Sequence, residues 1–191
     1  SPYGVAKVYA HWITVNYRES YKLFASNGIL FNHESPLRGE TFVTKKIVKA
    51  LCKIKMKKQK KLFLGNINAK RDWGHAEDYV LAMWKMLQHN KPGDFVVCTG
   101  KQYSIKQFVN LVAKYLRLQI KWKGKGINEK AYDKNGNCII ECKKKYLRPA
   151  EVDTLKGNCS KAKKLLNWKP RHDVRSLIKD MIKYEYNSNT E

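Results

Sequence analysis

Long stretches of helical period alternating with very short apolar runs constrain this chain more than any other feature. Residues 3 to about 23 set Val5, Val8, Tyr9, Trp12, Ile13 and Val15 among polar positions, the mix expected of one long helix. Gly28 to Asn32 follows as an apolar run that reads as a buried strand, with 32–36 as the loop leaving it. A broad apolar surface on so long a helix suits packing against a sheet or a partner helix. The alternation then repeats. A helix is predicted over 41–51 with Thr41 as a candidate cap, a strand over 62–65, and a polar and aromatic loop over 70–75. Helix 76–88 carries Val80, Met83, Trp84 and Leu87 on one stripe, read as core. Beyond it come strand 94–98, helix 105–118 capped by Ser104, strands 120–122 and 138–142, a short helix 160–166 and a last helix 173–186. Short strands between helices predict an α/β fold. Residues 1–40 read as the end of a larger sheet domain whose front is missing. Residues 41–186 read as mainly a smaller attached domain with returns to the sheet, and 187–191 as a disordered tail.

Composition narrows the class. No run of eighteen apolar residues and no signal-peptide pattern occurs, so neither a helical membrane span nor secretion is expected. Five scattered cysteines, an odd number, predict reduced thiols in a cytoplasmic protein. Cys138 and Cys142 bracket an apolar strand rather than a metal knuckle, and no second Cys/His pair completes a zinc site, so no metal is expected. The formal charge of +23 suggests a polyanionic partner. Yet the basic residues are 32 lysines against 7 arginines, spread along the chain, which favours a solvated surface over a nucleic-acid site. A basic nucleic-acid-binding module stays as the alternative from another class; its mark would be binding that collapses steeply with salt.

Tyr3 and Lys7 stand four residues apart at the head of the first helix, on one face and one turn apart. A fixed ammonium beside a phenol stabilises the phenolate and pulls its pKa down from about 10. Such a pair can take a proton from a sugar hydroxyl while a hydride leaves the carbon. The plainer alternative is an amphipathic helix that happens to carry both residues. What weighs against it is the company they keep: NHESP at 32–36 with Arg38-Gly39, FVTKKI at 42–47, LGN at 64–66, AKRDWGHAEDYV at 69–80, RPAEVD at 148–153 and NWKP at 167–170.

With those clusters in that order, the chain resembles the C-terminal half of the extended short-chain dehydrogenases/reductases, and within them the GDP-mannose 4,6-dehydratases, from Tyr3 to about Ile182. The resemblance implies the later part of a Rossmann-type NAD(P)-binding fold plus a smaller α/β substrate-binding domain. It implies a lyase that removes water from GDP-mannose with bound NADP, giving GDP-4-keto-6-deoxymannose on the way to deoxyhexoses such as fucose. In that family the tyrosine is the acid/base at the sugar C4 hydroxyl and the lysine holds the nicotinamide ribose, roles that fall on Tyr3 and Lys7. His33 and Arg38 match NADP contacts, and Asn32 matches the asparagine facing the sugar diphosphate. Thr44, Lys46, Arg71, Arg148 and Glu151 match positions lining the GDP pocket. Arg71 with Asp72 or Asp78, and Arg148 with Glu151, are alternatively loop-holding salt bridges; His75 reads as structural, and His11, His89 and His172 as surface residues. The family assembles as dimers or tetramers through helices that include the first. There are departures: the sequence has no GxGxxG, the Thr/Ser and Glu that the family places ahead of the tyrosine are not in it, and Leu37 and Lys45 stand where arginines are common. The isolated chain is therefore expected to be inactive. Another nucleotide-sugar epimerase or dehydratase of the same family is the alternative within enzymes.

Overall fold

The computed structural model describes residues 1–147 and 152–187. In chain order its elements are α1 (Pro2–Ser20), β1 (Asn27–Leu30), β2 (Asn32–Glu34), α2 (Val43–Lys55), β3 (Leu62–Leu64), β4 (Lys70–Arg71), β5 (Trp73–His75) and α3 (Ala76–Gln88). They continue with β6 (Asp94–Val97), β7 (Tyr103–Ser104), α4 (Ile105–Tyr115), β8 (Lys121–Lys123), β9 (Lys130–Tyr132), β10 (Cys138–Cys142), α5 (Ser160–Leu166) and α6 (Val174–Asn187). Local chemistry sets several boundaries. The Ser1 hydroxyl accepts the Gly4 N–H with proline in the first turn of α1, and Ser104 with Gln107 closes a reciprocal capping box on α4. α2 starts differently from the expectation: Phe42, not Thr41, is its N-cap, and no side chain caps it.

The strands form four small sheets. β1 pairs with β6 and β2 with β5, both in parallel; β4 pairs antiparallel with β7; and the largest sheet runs β3-β10-β9-β8. Residues 32–36 and 70–75, expected as loops, thus contain β2, β4 and β5. Their strands are only two or three residues long, too short for periodicity to show. The parallel β1–β6 pair joins residue 27 to residue 94 in register, so the chain returns near its midpoint to the sheet it left.

Two cores result. In the larger, the apolar faces of α2 (Ile47, Val48, Leu51), α4 (Phe108, Val112) and α6 (Leu177, Ile178, Met181) pack on Leu62, Ile140 and Trp73. In the smaller, α3 and α5 cover β6 through Tyr79, Ala82, Met86, Phe95 and Trp168. Trp168, from the NWKP stretch, is fully buried, and its indole N–H donates to the Asp78 carbonyl at 2.8 Å. The stripe expected to be core on α3 is the wrong one. Val80, Met83, Trp84 and Leu87 are exposed (Trp84 57%), while Tyr79, Ala82 and Met86 face inward. Both stripes are apolar, so sequence alone could not choose between them.

α1 buries none of its residues and is tied to the β1–β6 pair at its C-terminal end. Arg18 grips both oxygens of Asp94, at 2.8 and 3.1 Å, and Asn27 donates to the same carboxylate. The Arg18 hydrogen bond, with help from Asn27, holds the Asp94 carboxyl below the usual carboxylate range. A depressed folded pKa contributes stability above the unfolded value, about 4, and loses it as pH falls through the folded value. Asp94→Asn is therefore expected to cost about 1–2 kcal/mol at pH 7. Denaturant unfolding should show that difference closing below about pH 4.

Candidate functional site

The strand ends β1–β2 and β5 open onto two adjoining cavities. The first, of about 570 Å³, is lined by Tyr3, Phe31, Asn32, His33, Arg38 and Phe42 among others. The second, of about 420 Å³, is lined by Asn32, Phe42, Lys46, Gly65, Arg71 and Tyr146 among others. Asn32 and Phe42 belong to both, so one elongated ligand can reach from one to the other past Asn32.

Tyr3 stands at the rim of the first cavity, 71% exposed, and the Lys7 ammonium lies 5.5 Å from its ring centroid. The helical spacing thus delivers the phenol and the ammonium to one side of α1. His33 is held firmly. Its Nδ1–H donates to the Phe31 carbonyl at 2.9 Å, leaving Nε2 as the ring's other nitrogen, and the ring stacks on Tyr79 at 4.8 Å. Tyr79 is fully buried, its hydroxyl has no hydrogen-bond partner among the described residues, and burial pushes the phenol pKa up.

Arg38 is oriented by two neighbours: its guanidinium lies 3.5 Å from the Phe42 ring centroid, and its Nε 3.1 Å from Glu34 Oε2. Thr44 is not brought to either cavity. It is fully buried, and its hydroxyl donates to Glu34 Oε2 at 2.7 Å. Glu34 is the residue that sequence reasoning overlooked. It sits between Thr44 and Arg38 and fixes the loop that presents Arg38; the signal was a carboxylate ending a strand with an arginine four residues on. Lys45, at a position where arginine was expected, makes a buried ion pair with Glu185 and donates to the Pro36 carbonyl, tying the same loop to α6.

In the second cavity the Lys46 ammonium lies over the Tyr146 ring at 4.1 Å, and partial burial lowers its pKa. Arg71 reaches the cavity while donating to the carbonyls of Lys70 and Val152 at 2.8 and 2.6 Å. The acids considered as its partners are otherwise engaged: Asp72 accepts from Thr99 and Gly100, and Asp78 from Arg171 and His172. Lys145 and Tyr146 join the lining. Arg148 and Glu151 lie outside the described residues. The arrangement is therefore a phenol, an imidazole and a guanidinium at one cavity, with three further cations, Lys46, Arg71 and Lys145, at the next. It suits a ligand bearing phosphates and hydroxyls.

Burial raises the Glu34 pKa, and Thr44 and Arg38 only partly offset this. A raised folded pKa contributes stability below the unfolded value, about 4, and loses it as pH rises through the folded value. Glu34→Gln should match the parent near pH 4 and unfold at a higher temperature by pH 7, despite losing the Arg38 pair. Thermal unfolding across that range checks it; a less stable variant at pH 7 would mean that the ion pair outweighs burial.

The chain matches the family model "GDP-mannose 4,6 dehydratase" over residues 1–181. It is 52% identical over 182 residues to GDP-mannose 4,6 dehydratase 2 of Caenorhabditis elegans, covering 95% of this chain and 48% of that one. With the Dictyostelium discoideum GDP-mannose 4,6 dehydratase it shares 54% over 183 residues, covering 95% and 51%. With the Homo sapiens protein of that name it shares 52% over 183 residues, covering 95% and 49%. The chain thus spans about half the length of these curated relatives. Among solved structures, RMD from Pseudomonas aeruginosa complexed with NADPH superposes with a TM-score of 0.79 at 18% identity, covering 97% of this chain and 56% of that one. dTDP-glucose 4,6-dehydratase from Bacillus anthracis in complex with NAD superposes with a TM-score of 0.78 at 18% identity, covering 100% and 53%. These structures show the fold, that of the Rossmann-type extended short-chain dehydrogenases/reductases. With a family match over nearly its whole length and half its residues shared with several curated members, the chain belongs to the GDP-mannose 4,6 dehydratase family.

Proposed function

We propose that this chain supplies the sugar-nucleotide site and the acid/base pair of an enzyme that converts GDP-mannose to GDP-4-keto-6-deoxymannose with loss of water. The observation that carries the reading is the pair of cavities meeting at Asn32 and Phe42. Tyr3, His33 and Arg38 line one, and Lys46 and Arg71 the other. The relatives' names support GDP-mannose as substrate. Lys46 and Arg71 are suited to its diphosphate, and Asn32 at the junction to the sugar end. The deprotonated Tyr3 oxygen takes the proton of the C4 hydroxyl and Lys7 holds a ribose hydroxyl beside it, while a base supplied from outside these residues would take the C5 proton as water leaves across C5 and C6.

The first cavity fits a nicotinamide dinucleotide, which when bound supplies the hydride acceptor. NADPH and NAD in the two structural neighbours support that class. NADP is favoured because Arg38, with its Nε toward Glu34, keeps the other N–H groups of its fork for a phosphate. Residues 1–40, rejoined by β6, would form the end of the cofactor domain, and most of 41–186 the substrate domain. Five cysteines, all free thiols, support a cytoplasmic setting, and no helix among the described residues is long and apolar enough to cross a membrane. The exposed apolar side chains of α1, Val5, Val8, Tyr9 and Trp12, support assembly of the protein with copies of itself through that helix.

Competition binding tests the reading. GDP-mannose should bind at least about tenfold more tightly than UDP-glucose or dTDP-glucose, a difference of about 1.4 kcal/mol. Equal or reversed affinities would favour the second reading, another nucleotide-sugar enzyme of the same fold, which the dTDP-glucose dehydratase likeness keeps in view.

A further inference from the structure

His33 reaches the first cavity with its ring constrained from two directions. Its Nδ1 carries the proton and donates it to the Phe31 carbonyl at 2.9 Å, because a carbonyl only accepts. That bond fixes one nitrogen but leaves the ring plane free to rock about it. The plane is set by Tyr79, whose ring centroid lies 4.8 Å from that of the imidazole with 28° between the planes. Tyr79 belongs to α3 and is not among the described residues lining either cavity. It reaches His33 across β5. In the parallel β2–β5 pair His33 stands opposite Gly74, so a side chain on Gly74 would share the face that His33 uses. A β-carbon there would lie 2.4 Å from Tyr79 Cε2 and 3.1 Å from the Thr99 methyl, so the bare glycine is what lets the phenol ring lie beside the imidazole. The platform is itself held. Tyr79 is fully buried and meets Trp168 edge-on at 6.3 Å, and Trp168 donates to the Asp78 carbonyl. The Tyr79 hydroxyl has no hydrogen-bond partner among the described residues, so what His33 meets is the face of the ring.

We propose that Tyr79, seated over Gly74, is a positioning residue that holds the His33 imidazole in the plane in which Nε2 meets the ligand of the first cavity. This rests on the reading of that cavity as the site of a nicotinamide dinucleotide. With its proton on Nδ1, neutral His33 offers a lone pair at Nε2, which accepts from a hydroxyl or an amide N–H, and the dinucleotide carries both. A hydrogen bond weakens steeply as its angle opens. A platform that stops the ring from rocking therefore acts on dinucleotide affinity without touching the dinucleotide.

Three variants separate the ring from its surroundings. Tyr79→Phe keeps the ring and drops only the unpartnered hydroxyl, Tyr79→Met keeps apolar bulk without a ring, and Gly74→Ala keeps the phenol but displaces it. Calorimetric titration of the whole protein with NADP⁺ should give Tyr79→Phe the parent's affinity. Tyr79→Met and Gly74→Ala should bind about three- to tenfold more weakly, the range that a stacked aromatic pair contributes. In a His33→Ala background Tyr79→Met should cost nothing further, because its effect passes through the imidazole. The His33 Hε1 proton resonance, observed without cofactor, should lie upfield in the parent and in Tyr79→Phe under the neighbouring ring, and move downfield in Tyr79→Met. An equal loss of affinity in both backgrounds, or parental affinity or a parental His33 resonance in Tyr79→Met, would overturn the positioning role. If His33→Ala itself binds NADP⁺ as the parent does, the dinucleotide reading of the first cavity falls, and the proposal with it. Should Tyr79→Met not fold, Gly74→Ala carries the same comparison with and without His33.

Discussion

Replacing Tyr3 with phenylalanine is expected to lower turnover of GDP-mannose by the whole protein about 10²–10⁴-fold, the usual contribution of a positioned acid/base. Stability should scarcely change. The ring is 71% exposed, and its one described contact, with the Lys7 ammonium, is to the ring face and survives the loss of the hydroxyl. Ligand affinity should also hold, because the ring remains as lining of the first cavity. The diagnostic is the division between constants. A fall in kcat and kcat/KM together, with KM unmoved, marks a group acting in the transition state; a raised KM with kcat intact would make Tyr3 a binding residue only. Steady-state kinetics on the parent and the variant decide it.

Gly65→Ala should damage both the fold and the second cavity. A β-carbon at Gly65 would press into the carbonyl oxygen of Tyr146 and stand 2.7 Å from its carbonyl carbon, a backbone contact that no rotamer change relieves. β3 and the 144–147 turn would have to separate, and with them Lys145, Tyr146 and Leu147, which line the cavity opposite Lys46. Forced backbone shifts of this kind cost about 1–3 kcal/mol. The local loss should be larger: GDP-mannose affinity is expected to fall at least about tenfold, or about 1.4 kcal/mol. Chemical denaturation and calorimetric titration separate the two effects. A variant of parental stability and affinity would show that the 144–147 turn yields freely and does not shape the site.

The sequence by itself determined whatever depends on neighbours along the chain. Tyr3 and Lys7 share a helix face because four residues make about one turn, and no tertiary contact can undo that spacing. The Ser104 cap, the 138–142 strand and the 160–166 helix were legible for the same reason, as was the family order of the site clusters. Only the tertiary structure decided which apolar surfaces are covered and which polar groups meet. On α3 two apolar stripes compete, and β6 with α5 covers Tyr79, Ala82 and Met86, leaving Trp84 outside. Hydrophobic period reports that a helix has an apolar side, but the partner selects it. The resemblance placed Thr44 among the residues lining the GDP pocket, yet its hydroxyl goes to Glu34, because both are buried and buried polar groups must satisfy each other. His75 and His172 are nearly a hundred positions apart, and it is the packing of α6 on β5, with the 170–173 segment held on Asp78, that stacks their rings. Chemistry written within one turn of helix can be read from the chain; chemistry assembled across the core exists only once the core has closed.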